Sequence, residues 1–162
     1  MNTIDIYDAD AQDIPELQAL VQAVFATRHD ADHITRLMHT LYSEQSFQQV
    51  LTSTNRHLIV AIVDEALVGY CQYGVPIMDD CDCEDLREIQ ALFVHPNAEH
   101  DAVASALIYD VEETINAQAG VQRMSVFVDE GAQTIVRFYA SLGFYHDQVE
   151  DRDGAWYMEK DL

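Results

Sequence analysis

The hydrophobic pattern of this chain changes its period near residue 57, and this change decides which folds are open to it. Residues 57–63 form a continuous apolar run, and after Asp64 and Glu65 a second run covers Ala66–Tyr73. Two such runs separated by two polar residues predict two antiparallel strands joined by a tight turn. The chain therefore needs a sheet, although the segments directly before residue 57 follow a helical spacing.

The N-terminal third predicts one short strand followed by helices. Thr3–Tyr7 alternates polar and apolar residues, and Asp10 and Asp13 stand before an amphipathic segment, where aspartate commonly caps a helix. A second helical pattern covers residues 30–52 and is interrupted near Ser43. One broken helix and two short helices both fit that interruption.

The rest of the chain alternates strands and helices. Gly120 and Gly143 each follow a helical segment, at the place where glycine ends a helix. The predicted strands are 86–94, 123–128, 144–149 and 156–159, and the predicted helices run from after Pro96 to about Gln118 and over 132–142. The complete order predicts the α/β (α+β) class, with a mixed sheet and helices on both faces.

Length and composition fit a single domain over residues 1–162. A chain of 162 residues can bury a core of its own, and 49% of its residues are hydrophobic. It has no apolar stretch of about 18 residues, and its N-terminus has neither a basic start nor an apolar segment after it. We therefore expect a soluble, cytoplasmic protein without a secretory signal.

The charge balance is strongly acidic. Lys and Arg number 8 and Asp and Glu number 29, which gives a net charge of −21, and Lys160 is the only lysine. Nucleic acids and anionic membranes bind mainly through Lys and Arg, so we expect neither as a partner. Solubility, adaptation of the host to salt and attraction of a cationic substrate would each account for the acidity.

The three cysteines are too few for a disulfide framework. Cys81 and Cys83 form a Cys-x-Cys pair among several acidic residues, but no second Cys/His pair follows at the spacing of a zinc site. We therefore expect no metal site, and we interpret the segment around these two cysteines as a solvated acidic loop.

Two segments carry a resemblance to a known family. The stretch VFVDEGAQTIVRFYASLGFYHDQ (126–148), with the final YMEKDL, resembles the strand, helix and Leu-Gly-Phe segment of the GCN5-related N-acetyltransferase (GNAT) superfamily. The stretch EIQALFVHP (88–96) is similar to its central strand. The element order agrees along essentially the whole chain. The resemblance implies a GNAT-like mixed, mostly antiparallel central sheet of about six to seven strands flanked by about four helices.

Members of that family transfer an acetyl group from acetyl-CoA, a co-substrate, to an amine. Such a transfer needs a held thioester, a base that keeps the amine neutral and an acid for the leaving thiolate. The resemblance implies that main-chain groups of Leu92, Phe93 and Val94 bind the pantetheine arm of the coenzyme. It also implies that Glu88 is the base and that Tyr139 is the acid.

Each of these side chains also has a structural interpretation. Tyr139 lies at helical spacing from apolar residues, so it also fits a place in the core. Glu84 and Asp85 lie close enough in sequence to take the place of Glu88. We expect His95, which follows the strand directly, to be a surface residue.

The coenzyme loop departs from the family pattern. The family's pyrophosphate loop reads Gln/Arg-x-x-Gly-x-Gly/Ala, and the same register places Ala102, Val103 and Ala104 at its coenzyme-binding end. Glu99 replaces the usual Arg or Gln, and Asp101 adds a second negative charge. Each carboxylate beside a pyrophosphate would cost about 1 to 4 kcal/mol.

Two further features weaken the expected grip on the coenzyme. The side chain of Asp101 or Asn97 could cap the following helix and so satisfy the N–H groups that a phosphate would use. Ala132 stands where many members have an asparagine, and Ile135 stands where a small alanine is common. Both positions lie close to the path of the coenzyme in the family.

Two functions therefore remain in view. The first is an N-acetyltransferase that acts on a primary amine of a small molecule or peptide, with an acidic surface that attracts a cationic acceptor such as a polyamine, an aminoglycoside or a peptide amine. The second is a catalytically impaired GNAT-fold protein that serves as a ligand- or protein-binding module. We expect the enzyme, and a homodimer is possible because dimers are common in the family.

Overall fold

The computed structural model describes residues 3–76, 84–152 and 154–162. The chain forms two compact units, Met1–Gln72 with Ala91–Ile108, and Tyr73–Gln90 with Tyr109–Leu162. Within the described residues there are seven strands and five α-helices. They are β1 (Asp5–Asp8), α1 (Ile14–Phe25), α2 (Ala31–Thr40), α3 (Glu44–Thr52), β2 (Arg56–Val63), β3 (Ala66–Gly74), β4 (Leu86–Val94), α4 (His100–Asn116), β5 (Arg123–Asp129), α5 (Gln133–Ser141), β6 (Tyr145–His146) and β7 (Ala155–Asp161).

The strands form one sheet in the order β1-β2-β3-β4-β5-β7-β6. The pairs β1–β2, β5–β7 and β6–β7 are antiparallel, and β4 pairs with β5 in parallel. This arrangement confirms the predicted mixed, mostly antiparallel sheet and its upper strand count. No helix in the described ranges is both long and apolar enough to cross a bilayer.

Ser43 resolves the interruption in the second helical pattern. Its hydroxyl accepts a hydrogen bond from the N–H of Ser46 at 3.1 Å, and it therefore caps the start of α3. Asp30 caps α2 in the same way, with its carboxylate accepting from the N–H of His33 at 2.8 Å. The segment consequently forms two short helices, because each has its own capping residue.

The predicted turn between β2 and β3 consists of Asp64 and Glu65. Both residues have positive φ, 49° and 68°, which two-residue hairpins of the common primed type require. The turn therefore matches the right-handed twist of the two strands it joins, and it fixes the end of the hairpin.

The core of the first unit lies between helices and strands. The buried face of α1 includes Leu17 and Val21, both fully buried, and it packs with Leu58, Val60 and Tyr70 of the two hairpin strands. The hydrophobic spacing of α1 predicted this face, because residues three and four apart lie on the same side of a helix.

The strand predicted over 144–149 is shorter than expected. β6 covers only Tyr145–His146, and a 3-10 helix follows at Gln148–Glu150. The cause is local, since the carboxylate of Asp147 accepts a hydrogen bond from the N–H of Val149 at 3.1 Å. That bond turns the backbone away from the extended conformation.

Candidate functional site

The parallel ladder between β4 and β5 ends before either strand does. It pairs Leu86–Ile89 with Arg123–Val126, that is, four of the nine residues of β4. β4 then continues through Leu92, Phe93 and Val94, beyond the pair Ile89–Val126. Because a strand that leaves a ladder exposes backbone N–H and C=O groups on that side, this end of β4 can receive an extended ligand with amide groups.

The segment after β4 is tied to β3 by the backbone. The N–H of His95 donates to the carbonyl of Val68 at 2.7 Å, and the N–H of Asn97 donates to Nδ1 of His95 at 3.1 Å. His95 is half-buried, so the expected surface position was only partly right. The two hydrogen bonds hold its ring in place, which a sequence pattern does not reveal.

The helix α4 has two available N–H groups at its start. Its first helical hydrogen bond joins the N–H of Val103 to the carbonyl of Glu99 at 3.1 Å. The N–H groups of Asp101 and Ala102 have no hydrogen-bond acceptor within the described parts of the chain. Val103 and Ala104 bury their side chains, to 2% and 0% exposure. An anion at this helix would thus meet the amides of the first turn.

The alternative in which the helix caps itself is wrong. Among the described residues, neither Asn97 nor Asp101 accepts a hydrogen bond from a backbone N–H of α4 with its side chain. The reason is that the helix begins at His100, so Asp101 already lies inside its first turn. The carboxylate of Asp101 is 82% exposed and lies 3.0 Å from Nδ1 of His100.

Three acidic residues lie near the head of β4, and Asp85 is bound by an arginine. The carboxylate of Asp85 accepts two hydrogen bonds from the guanidinium of Arg123, both at 3.1 Å. The hydrogen bonds from Arg123 hold the pKa of Asp85 below its usual range, so it is a poor proton acceptor near neutral pH. Glu84 is exposed and precedes the strand, whereas Glu88 is half-buried within β4 and lies opposite Ser125 in the ladder.

The sequence did not reveal a buried polar cluster formed by β5 and β7. Glu159, only 5% exposed, accepts from Nη1 of Arg123 at 2.8 Å and from the hydroxyl of Tyr157 at 3.0 Å. Burial and the hydrogen bond to Glu159 raise the pKa of Tyr157, which therefore stays protonated and donates. Strand alternation places Arg123 and Ser125 on one face of β5. Only the register between β5 and β7 shows that Glu159 lies opposite Ser125.

Tyr139 is buried in α5. Its ring is 3% exposed and meets the rings of Phe138 and Phe144 edge-on, with centroids 5.3 Å away in each case. Its carbonyl accepts from the N–H of Phe144 at 3.1 Å, which fixes the end of the helix at Gly143, where φ is +97°. Tyr139 therefore lies in the core, as its helical spacing predicts. Its role as an acid stays a prediction.

The described residues contain no group of three or more His, Cys, Asp or Glu side chains arranged to hold a metal ion. Cys81 and Cys83, which were interpreted as part of a solvated acidic loop, lie outside the residues that the structure describes. The prediction for that loop is consequently left as a prediction.

Comparison with known proteins supplies a family and a set of similar structures. Residues 25–159 match the family described as Acetyltransferase (GNAT) domain. No curated protein gives a significant sequence match. This chain shares its fold with the PaiA N-acetyltransferase of Thermoplasma acidophilum in complex with coenzyme A, with 17% identity over 99% of both chains and a TM-score of 0.82.

Two other solved structures are similar at comparable identity. The ribosomal-protein-S18-alanine N-acetyltransferase of Escherichia coli is 15% identical over 99% of this chain and 94% of that one, with a TM-score of 0.71. A probable acetyltransferase of Staphylococcus epidermidis is 13% identical over 99% of both chains, with a TM-score of 0.76. At such identities the likeness concerns the fold alone.

Proposed function

The chain belongs to the GNAT acetyltransferase family, and we propose on that basis that it transfers an acetyl group from acetyl-CoA to a primary amine of a small molecule or peptide. The observation that carries the proposal is the continuation of β4 past its ladder with β5. A strand with unpaired edge groups suits the amide groups of a pantetheine arm, which bind as an added strand would. Leu92, Phe93 and Val94 supply those backbone groups.

The pyrophosphate of the coenzyme is assigned to the start of α4. The N–H groups of Asp101 and Ala102, together with the positive end of the helix dipole, attract an anion. Val103 and Ala104 complete the segment by packing its inner side into the core. The exposed carboxylates of Glu99 and Asp101 act against this attraction, so the grip on the pyrophosphate is weaker than a glycine-rich, basic loop would give.

The chemical step needs one base and one acid. Glu88 takes a proton from the acceptor's ammonium group, and the neutral nitrogen then attacks the thioester carbonyl. The new C–N bond forms as the C–S bond breaks, and the hydroxyl of Tyr139 gives its proton to the leaving thiolate. The second proton, which the nitrogen loses as it becomes an amide, returns to the Tyr139 oxygen, and Glu88 releases the first proton to solvent. Glu88 is proposed as the base because the family resemblance places the base there and because it lies within β4. Glu84 precedes the strand, and the lowered pKa of Asp85 makes that carboxylate a poor proton acceptor.

The acceptor is proposed to be cationic. The chain has a net charge of −21, and such a field raises the local concentration of an ammonium ion and speeds its approach. A second function, that of a catalytically impaired binding module, is favoured by the carboxylates of Glu99 and Asp101 at the start of α4. The two functions differ in whether acetyl-CoA is consumed.

The role of Tyr139 is tested by the variant Tyr139→Phe in an assay that follows release of coenzyme thiol from acetyl-CoA with spermidine as acceptor. Loss of the acid is expected to lower kcat by about a hundredfold, while the dissociation constant for acetyl-CoA stays within about twofold. Tyr109→Phe, which removes an exposed hydroxyl on α4, is the matched control and should behave as wild type. Full activity of Tyr139→Phe would exclude the acid role.

A further inference from the structure

A cavity of about 630 Å³ lies in the first unit beside the start of α4. It is bounded by the β2–β3 turn, the segment after β4 and the first turn of α4. Its walls are mainly aliphatic and include Ile4, Val63, Val68 and Val103. Small-molecule sites in proteins have volumes of about 300 to 1,000 Å³ and mostly apolar walls, so this cavity has the size and lining of a ligand site.

The frame of the cavity is preformed. The turn at Asp64 and Glu65 has the geometry of a two-residue hairpin, and the N–H of His95 donates to the carbonyl of Val68 at 2.7 Å. Nδ1 of His95 accepts from the N–H of Asn97, so the neutral ring carries its proton on Nε2. A ligand would therefore enter without having to order these elements first.

The charged groups on the cavity wall have one sign. The carboxylates of Asp64 and Glu99 belong to lining residues, and no Lys or Arg lines the cavity within the described part of the chain. Apolar walls with carboxylates beside them favour an organic body that bears a positive charge, and they disfavour an anion such as a phosphate. The cavity thus favours a cation, whereas the N–H groups proposed to bind the coenzyme's pyrophosphate favour an anion.

We propose that this cavity binds a small organic cation, a primary ammonium group on an aliphatic or aromatic body, and that its binding raises the affinity for acetyl-CoA. Glu99 and Ala102 line the cavity and also belong to the segment assigned to the pyrophosphate. An ammonium beside Glu99 offsets the charge that opposes the pyrophosphate. The raised affinity for acetyl-CoA rests on the proposed function. Thermodynamic linkage then requires acetyl-CoA to raise the affinity of the cavity for the amine by the same factor.

The first test measures binding of n-hexylammonium chloride to the full chain by calorimetry, without coenzyme, with 1-hexanol as a probe of equal length and no charge. Hexylammonium is expected to bind about tenfold more tightly than hexanol. Glu99→Gln should weaken it several-fold, and Ala98→Leu, which fills the cavity, should abolish it. Glu65→Gln removes a neighbouring exposed carboxylate that does not line the cavity and should leave the affinity within about twofold.

The outcomes of that titration separate cleanly. Equal affinity for hexylammonium and hexanol, equal weakening by Glu65→Gln and Glu99→Gln, or no binding at about 10 mM hexylammonium would each overturn the cation site.

The second test repeats an acetyl-CoA titration with and without hexylammonium, at equal ionic strength set with NaCl. A severalfold tighter coenzyme affinity that disappears in Glu99→Gln supports the coupling, and an unchanged affinity overturns it. If acetyl-CoA never binds, the proposed function fails, whereas the first titration still decides the cation site.

Discussion

Glu99 and Asp101 place exposed carboxylates at the start of α4, where the N–H groups of the first turn and the helix dipole would otherwise favour an anion. The two effects have opposite signs, and the repulsion by the carboxylates is the larger. Two carboxylates at surface-like dielectric constants cost about 1 to 4 kcal/mol each, whereas a helix N-terminus contributes about 0.3 to 2 kcal/mol. In the proposed function, the charges of Glu99 and Asp101 therefore weaken the binding of a coenzyme phosphate at this helix.

Removal of these charges should strengthen coenzyme binding. The variant Glu99→Arg with Asp101→Gly is expected to tighten acetyl-CoA binding by about ten- to a hundredfold, measured by calorimetry. Glu113→Arg changes the net charge by as much as Glu99→Arg does, but it lies on the exposed side of α4 away from its start, and it should shift the affinity less than about threefold. An unchanged affinity in the double variant would show that the pyrophosphate does not lie at this loop.

At the scale of elements, a charged cluster joins the start of β4 to β5 and β7. The guanidinium of Arg123 donates to both Asp85 and Glu159, and these partners raise the pKa of Arg123. Hydrogen bonds from Arg123 lower the pKa of Asp85 from its ordinary value of 3.8. The stabilising effect of Asp85 is therefore complete above that ordinary value, and it is lost as the pH falls through the lower value in the folded protein.

The variant Asp85→Asn tests this cluster through its pH dependence. At neutral pH it should melt at a lower temperature than wild type, and the difference should shrink as the pH falls below about 4. Melting curves followed by circular dichroism between about pH 3 and pH 7 measure the effect. Glu130→Gln removes an exposed carboxylate at the end of β5 and should show no such convergence. A difference that stays constant with pH would rule out the ionised pair as its cause.

Gly69 is the position where α4 lies against β3. A Cβ atom at this glycine would come within 2.9 Å of Cγ1 of Val103 and 3.1 Å of the carbonyl oxygen of Phe93. Gly69→Ala is therefore expected to destabilise the protein by about 1 to 3 kcal/mol in urea unfolding, because the core has no room for a methyl group. A third close atom is Cδ1 of Leu107, at 3.3 Å. Adding Val103→Ala removes the shortest of these contacts and should recover part of the loss. A silent Gly69→Ala would mean that the helix shifts freely on the strand.

Local chemistry explains which elements the sequence could predict. The turn at Asp64 and Glu65 and the strand over 86–94 depend on neighbours in the chain, and the structure confirms both. For residues 30–52 the sequence left one broken helix and two short helices open, and the caps at Asp30 and Ser43 give two short helices. The strand predicted over 144–149 was too long, because a single hydrogen bond from the N–H of Val149 to the carboxylate of Asp147 outweighed the apolar pattern.

The candidate site was harder to predict, because its contacts join residues that are distant in sequence. The contact between Arg123 and Glu159 depends on the register of β5 with β7, and the cavity joins residues as distant in sequence as Ile4, Val63 and Glu99. Period and propensity describe one segment at a time, so they do not show which residues of distant segments come into contact when the strands pair. The family resemblance indicates Glu88 and Tyr139 as the base and the acid, but it does not indicate which residues contact them.

On the scale of the whole molecule, the net charge of −21 acts on every charged ligand. Acetyl-CoA is an anion, so its approach is opposed, whereas an ammonium acceptor is attracted. Salt screens both effects over about 10 Å at 0.1 M and about 3 Å at 1 M. We therefore expect acetyl-CoA to bind several-fold more tightly in about 1 M NaCl than in about 0.1 M NaCl, the reverse of the usual effect of salt on an anionic ligand.

Calorimetric titration of the purified protein with acetyl-CoA at both salt concentrations is the decisive test of the proposed function. We expect saturable heat with one site per chain and a dissociation constant that falls as the salt concentration rises. No heat at about 1 mM acetyl-CoA in either salt concentration would contradict the claim that this GNAT chain uses acetyl-CoA.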